Sequence, residues 1–489
     1  MASISVEKIE TRLFINGKFV ESSDGNTFPL RSPTTREVIA EVHEASEQDT
    51  DAAVAAAKVA FPAWSALSPA ERGGYMKKLA ALLHQSGKEL SYLEAISMGR
   101  PISTYFDNHA AASTFEHYAE VGYEVQGVSS LNTPGFVNMT FKQPYGVVAA
   151  IIPWNVPLVF FANKAAPALA AGNTVVLKSS EKAPLTSAKV ATLIEQVGFP
   201  PGVVNVISGH GQKSGAILSS HMDVRALSFT GSCRTGRLIQ AAAAKSNLKN
   251  VILELGGKSP AIVFEDGDID NAVNETQNSI QWNSGQVCMA NSRIYVQDTI
   301  ADRFVQAFKA KFAAVSAGDP LDAATNHGPQ ADSAQFETVH KYIAAGAKSG
   351  ELVLGGSAHV AGLTDTASKG YFVTPTVFLR TPEDAVVMKE EIFGPVVNIN
   401  TFKTEEEVIA KANDSEFGLY AAVYTRDINR AMRFAKALEA GTVGVNCTSP
   451  TVARDMPFGG FKSSGIGREG FGWSLNNFLE TKTVLIKIH

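Results

Sequence analysis

Short apolar runs alternate with longer helical stretches between residues 146 and 257, and few architectures accommodate that alternation. "GVVAAII" precedes a helical pattern at 157–171, "NTVVLKS" (173–179) one at 184–197, "VVNVISG" (203–209) one at 212–220, and "VRALSFTG" (224–231) one at 235–245; "NVILELGG" (250–257) closes the series. Apolar runs of this length read as strands buried on both faces, and helices between them make the sheet parallel. The expected fold class is α/β. Such a sheet binds ligands beyond the carboxyl ends of its strands. The residues just after each run are therefore where chemistry is expected.

The rest of the chain adds to this frame. A length of 489 residues exceeds one ordinary core and predicts two large domains, or two plus a small appendage. Residues 13–42 read as short strands joined by turns, 48–127 as amphipathic helices, and 135–142 as an exposed strand. A second α/β region is expected from about 258 to 450: "PAIVF", "SRIYVQ", "ELVLGG", "YFVTPTVF", "VVNINTF", "GLYAAVYT" and "GTVGVN" are strand-like. The tail "TKTVLIKI" (481–488) is a strand at a chain end, open to pairing with another chain.

A net charge of -5 is too mild to predict nucleic acid or an anionic membrane as partner. The apolar stretch 146–171 is broken by Pro153, Asn155, Pro157, Lys164 and Pro167, so it is not a membrane span. The three cysteines, Cys233, Cys288 and Cys447, are too few and too far apart for a disulfide framework or a metal site, which suits a reducing compartment. The opening "MASISVEKIETRLF" lacks the pattern of a secretory or transit peptide, and "LIKIH" is not a retention tag. A cytoplasmic location is expected.

Taken in order, the strand ends carry distinct chemistry. Asn155, in "IIPWN", would donate hydrogen bonds to a developing oxyanion, although an Asn just ahead of Pro157 is also an ordinary turn residue. Lys178 and Glu181, in "VVLKSSE", follow the second run. The lysine suits hydroxyls or phosphate. The carboxylate suits a ribose diol and would repel a 2′-phosphate, favouring NAD over NADP. Lys182 next door works against that preference. "SGHGQKSG" is one residue off the dinucleotide fingerprint. In "FTGSCRTG", Gly231 permits close backbone approach, and Ser232 caps a helix whose N-terminus would face a phosphate. It is not a P-loop, because Arg237 and Leu238 follow Gly236.

Glu254, in "LELGG", stands among apolar neighbours, which raise a carboxyl pKa and suit it to general-base work. Gly256 and Gly257 would let the backbone approach a flat cofactor. Cys288 lies in "GQVCMANSR" (285–293). A free cysteine is usually an inert core residue. Here it follows "NSG", which breaks the preceding helix, and its N–H would join Asn155 as an oxyanion donor. A thiolate at that place is a strong nucleophile. Cys233 and Cys447 read as packing residues. Only His210, in the glycine loop, lies near these motifs, so no Cys–His dyad is indicated.

P-W-N, K-x-x-E, F-T-G-S, E-L-G-G-K, G-Q-x-C, E-E-I-F-G-P and P-F-G-G-F-K-x-S-G follow one another along the chain. This series resembles the aldehyde dehydrogenase superfamily, over essentially the whole sequence. The resemblance implies Cys288 as nucleophile, Glu254 as general base and Asn155 as oxyanion amide. It implies a cofactor groove at Ile151, Pro153, Trp154, Lys178, Glu181, Gly211, Phe229, Gly231, Ser232 and Leu255, with Glu391 as second ribose contact and Phe393 at the nicotinamide end. NAD is the implied cofactor, NADP the less favoured one, and no metal is implied. Ser179 departs from the family's usual proline but keeps Lys178 and Glu181 in register.

The resemblance also implies a Rossmann-like cofactor domain (1–125 and 143–256), an α/β catalytic domain (257–460), and a small β oligomerisation flap (126–142 and 470–489) in a homodimer or homotetramer. By position, Val156, Phe160, Asn163, Trp282, Val452 and Phe458 would line the substrate entrance. Trp282 resembles a wall of the aromatic cage in betaine-aldehyde enzymes, but Val156 and Asn163 replace two of its bulky rings. The expected substrate is an aromatic or medium-chain aliphatic aldehyde. The rivals are a CoA-acylating semialdehyde dehydrogenase, which needs no hydrolytic base, and an inactive binding or structural relative, which expects a lost nucleophile, base or amide.

Overall fold

The computed structural model describes residues 9–357, 360, 363 and 367–488; residues 1–8 of the opening stretch and the final His489 lie outside them. The alternating series forms the strands Val147–Ile151, Thr174–Lys178, Val204–Ile207, Val224–Thr230 and Asn250–Glu254. All their mutual pairings are parallel. Every residue of Val147–Ile151 and Thr174–Lys178 is buried, which is why these runs show no polar alternation.

The spatial order is Val204–Ile207, Thr174–Lys178, Val147–Ile151, Val224–Thr230, Asn250–Glu254. The chain builds outward from Val147–Ile151 in one direction, then returns and builds in the other. A crevice opens where the order reverses, beyond the carboxyl ends of Val147–Ile151 and Val224–Thr230. Helices Pro157–Ala170 and Pro184–Val197 each start on a proline, whose fixed φ suits a first turn. Two apolar clusters, one around Trp64, Phe115 and Phe161, the other around Val54, Leu227 and Ile239, cover the two faces of the sheet.

Three features differ from the sequence expectation. The sheet has antiparallel edges: the hairpin Leu13–Ile15/Lys18–Val20 on one side and Gly465–Ile466 on the other. A two-residue strand carries no periodicity, so Gly465–Ile466 left no trace in the pattern. The stretch 212–220 is not one helix. Gly211–Gly215 forms a wide π-type turn and only Ala216–Ser220 is α-helical, because the two glycines oppose regular helix. "YFVTPTVF" yields only the strand Thr376–Leu379, since Pro375 has no N–H for a ladder.

A second sheet orders Glu351–Leu354, Thr376–Leu379, Val396–Phe402, Arg293–Gln297, Pro260–Val263, Tyr420–Tyr424 and Thr442–Val445, parallel except at its first pair. A small antiparallel sheet joins Ser129–Ser130, Phe136–Pro144 and Leu479–Lys487, the last two paired from Leu479↔Pro144 to Lys487↔Phe136. Among the described residues no helix is long and apolar enough to cross a membrane.

Candidate active site

The helix Ile269–Gln281 breaks at Trp282, and the chain then turns through Asn283 (φ 50°), Ser284 (φ 54°) and Gly285 (φ 76°). Left-handed backbone at two non-glycine residues costs about 1–3 kcal/mol each and persists only where the surroundings hold it. A Cβ on Gly285 would lie 2.2 Å from the Gly394 carbonyl, so only glycine fits. The buried Gln286 side chain pins the turn: Nε2 donates to the Asn283 carbonyl (3.0 Å) and Oε1 accepts from the Ala331 N–H (2.9 Å). Ser284 Oγ donates to the Gly328 carbonyl at 2.7 Å.

This turn presents Cys288 to a cavity of about 210 Å³ that Asn155 also lines. Asn155 Nδ2 donates one hydrogen bond to the Gln286 carbonyl (3.0 Å), and Asn283 Nδ2 donates to the Asn155 carbonyl (2.9 Å). The amide is fixed with its second N–H left for an occupant. Burial first, then the Glu391 and Glu254 carboxylates, push the Cys288 thiol up to about 12.

Glu254 ends the strand Asn250–Glu254; it is buried and neither carboxyl oxygen has a partner among the described residues. Burial and the Glu469 carboxylate raise it well above the usual carboxylate range, against the pull of Lys164 and Arg468. Lys164 and Glu469 form a buried ion pair at 2.8 Å, and Lys164 Nζ also donates to Ser228 Oγ at 3.0 Å. The sequence reading missed this pair. A lysine inside the apolar helix Pro157–Ala170 was the available signal, because a buried charge requires a partner.

The crevice gathers the other strand-end residues. Ile151 ends its strand, Pro153 and Trp154 follow, and the Trp154 ring meets Phe393 edge-on at 5.4 Å. Phe393 itself is held at φ 59°, with Gln335 Nε2 donating to its carbonyl at 2.8 Å. Lys178 Nζ is buried and donates to the Ser179 carbonyl (2.8 Å); burial lowers its pKa. Glu181 lies at the crevice edge with Ser180 Oγ 3.4 Å away. Lys182 pairs with Asp332 (2.9 Å) and lies 5.2 Å from the Trp154 ring centre, so its charge is already engaged.

On the neighbouring strand, Phe229 packs so tightly on Gly231 that a Cβ there would come within 2.4 Å of the ring. Ser232 accepts from the Thr235 N–H (3.3 Å) and caps the helix Cys233–Lys245, while the buried Thr230 hydroxyl has no partner among the described residues. Gly211 opens the wide turn, and Leu255 packs against Gly236. Glu391 Oε1 accepts from the Gly257 N–H at 3.0 Å, and burial raises its carboxyl to about 7.

Val156, Phe160, Asn163, Trp282, Val452 and Phe458 share the Cys288 cavity, together with Tyr118, Met456 and Phe471, which the sequence reading did not single out. Behind Trp282 lies the Arg100 guanidinium, 4.3 Å from the ring centre and paired with Asp107 at 3.1 Å, both fully buried.

Comparison with known proteins agrees with this geometry. A family model described as aldehyde dehydrogenase family matches residues 19–484. An aldehyde dehydrogenase of Davidiella tassiana is 47% identical over 98% of this chain and 95% of its own length. Human (Homo sapiens) retinal dehydrogenase 2 is 43% identical over 98% and 92%. The crystal structure of PnpE in complex with nicotinamide adenine dinucleotide superposes with a TM-score of 0.95 at 40% identity, covering 98% of each chain; PnpE from Pseudomonas sp. WBC-3 matches at 0.94. With a family match over nearly the whole sequence and this fold, the chain belongs to the aldehyde dehydrogenase family.

Proposed function

We propose that this aldehyde dehydrogenase oxidises an aromatic or medium-chain aliphatic aldehyde to the carboxylic acid with NAD, through Cys288 as nucleophile and Glu254 as hydrolytic base. One observation carries the reading. Cys288 and the tethered Asn155 amide face one cavity, and the Glu254 carboxyl, buried and without a partner among the described residues, is one of the charges that raise the thiol.

The Cys288 thiol gives its proton to solvent, and the thiolate sulfur adds to the aldehyde carbon. The new oxyanion lies between the Asn155 amide and the Cys288 N–H; one such donor is worth about 10²–10³ in rate. Hydride leaves the same carbon and the oxyanion collapses to a thioester. Glu254 then takes a proton from water, hydroxide adds to the thioester, and the acid departs with Cys288 regenerated as a thiol.

The crevice fits a dinucleotide. The capped helix N-terminus and the Thr230 hydroxyl, which has no partner among the described residues, suit a phosphate, and Lys178 with Glu181 suits a ribose diol. Glu391 would hold the second ribose. Bound there, oxidised nicotinamide would supply the hydride acceptor. With Lys182 engaged by Asp332, Glu181 is left to disfavour a 2′-phosphate. The division into cofactor domain, catalytic domain and flap, and a homodimeric or homotetrameric state, belong to the same reading.

The tunnel walls support an uncharged substrate body. Val156, Phe160, Trp282 and Phe458 are apolar, and Arg100 behind Trp282 takes up the attraction the ring would otherwise offer a quaternary ammonium. NADH formation over a panel of aliphatic, aromatic and quaternary-ammonium aldehydes tests this. Benzaldehyde should give the higher kcat/KM than betaine aldehyde, and Cys288→Ser should lose about 10³-fold or more. The reverse ranking overturns the substrate class. A silent wild type, or turnover that requires CoA and yields acyl-CoA, overturns the hydrolytic reading.

A further inference from the structure

Glu44 follows the strand Val38–His43, far in sequence from the cofactor loops, yet it is built into them. The Ala45 N–H donates to the Ser208 carbonyl (2.8 Å), and Ser208 Oγ shares a 2.8 Å hydrogen bond with Ser179 Oγ, next to Lys178. Three segments thus run side by side at the edge of the crevice. The Glu44 side chain is 7% exposed, and both its oxygens are used. Oε1 accepts from the His210 N–H (3.1 Å) and from His210 Nδ1 (2.6 Å); Oε2 accepts from Lys213 Nζ (2.5 Å). Burial raises this carboxyl, but Lys213 and His210 outweigh burial and hold it at about 2. Lys213 also feels Asp24, and Lys178 feels first Glu181 and then Glu44.

The glycine loop "SGHGQKSG" therefore carries two cation-forming side chains on a segment tied to the one that holds Lys178 and Glu181, and one carboxylate holds both. We propose that Glu44 is a second determinant of NAD over NADP, acting as a counterion that silences Lys213 and His210 and adds its own charge to that of Glu181. This rests on the reading that Lys178 and Glu181 hold the adenosine ribose. A phosphate would have to displace Glu44 from an ion pair to gain Lys213. With Glu44 neutral, the same loop offers a phosphate a free ammonium and an imidazole.

The test is binding, with no aldehyde present. Kd for NAD and NADP is measured by calorimetry for wild type, Glu44→Gln, Glu181→Ala and Glu44→Gln/Lys213→Ala. Glu44→Gln should lower the ratio Kd(NADP)/Kd(NAD) by about tenfold, one charge-assisted contact. The gain should shrink with added salt and vanish in the Lys213 double variant. Glu44→Ala, which keeps the Ala45–Ser208 backbone tie, replaces the glutamine variant if that one melts early. An unchanged ratio in a folded Glu44 variant overturns the proposal, as does a gain that survives loss of Lys213. Failure of the underlying ribose assignment is distinct: Glu181→Ala would then leave the ratio unchanged as well.

Discussion

Glu254, buried, and Cys288, half-buried, share one electrostatic constraint, since each has a carboxylate neighbour that opposes its charged form. In the proposed mechanism hydrolysis needs Glu254 ionised, and its pKa is raised, so kcat should climb with pH through a midpoint well above the ordinary 4.5. Glu469 raises that midpoint and Lys164 lowers it. In pH profiles of kcat, Glu469→Gln should therefore shift the midpoint down and Lys164→Met should shift it up. A midpoint that neither variant moves contradicts the assignment of Glu254. The direction of the Glu254 shift was readable from its apolar neighbours in "LELGG". Its tuning by Glu469 was not, because Lys164 and Glu469 are 305 residues apart and meet only through the fold.

At the level of elements, two contacts carry separable predictions. Breaking the buried Lys164–Glu469 pair from one side leaves an uncompensated charge, so Lys164→Met should cost about 3–5 kcal/mol of stability in denaturant titration. Lys164→Met/Glu469→Met should recover most of that; a double variant as unstable as the single one would contradict it. Glu44 joins the strand Val38–His43 to the glycine loop, with a folded pKa of about 2 against 4.5 in the free residue. Between those values the unfolded chain binds more protons. The tie is therefore fully present above pH 4.5 and is lost as pH falls towards 2. The melting temperature of Glu44→Gln should fall less steeply across that window than that of the wild type. The parallel strands were legible because burial on both faces leaves an unbroken apolar run. The edge strands were not, since Gly465–Ile466 is held by pairing with Leu253 and Glu254 rather than by its own residues.

For the molecule as a whole, the proposed homo-oligomer is tested at the C-terminal strand, an edge of its small sheet. Leu479–Lys487 pairs along its full length with Phe136–Pro144, yet Leu485 and Ile486 remain 65% and 44% exposed. Truncation after Phe478 should reduce the mass measured by light scattering to that of a smaller assembly, and an unchanged mass would remove this strand from the oligomer interface. P-W-N, K-x-x-E, F-T-G-S and E-L-G-G-K were legible in the sequence because each stands at the end of a strand, whereas G-Q-x-C follows the helix Ile269–Gln281. Their convergence on one crevice came from the 3-2-1-4-5 strand order, which no single motif encodes. The proposed division of labour between Cys288 and Glu254 is tested by intact-mass spectrometry of Glu254→Gln, mixed with benzaldehyde and NAD and quenched after one turnover. The expected result is one NADH per active site and a mass gain of one benzoyl group on Cys288, both absent from Cys288→Ser/Glu254→Gln. Benzoate released at the wild-type rate with no adduct, or an adduct on another residue, would contradict it.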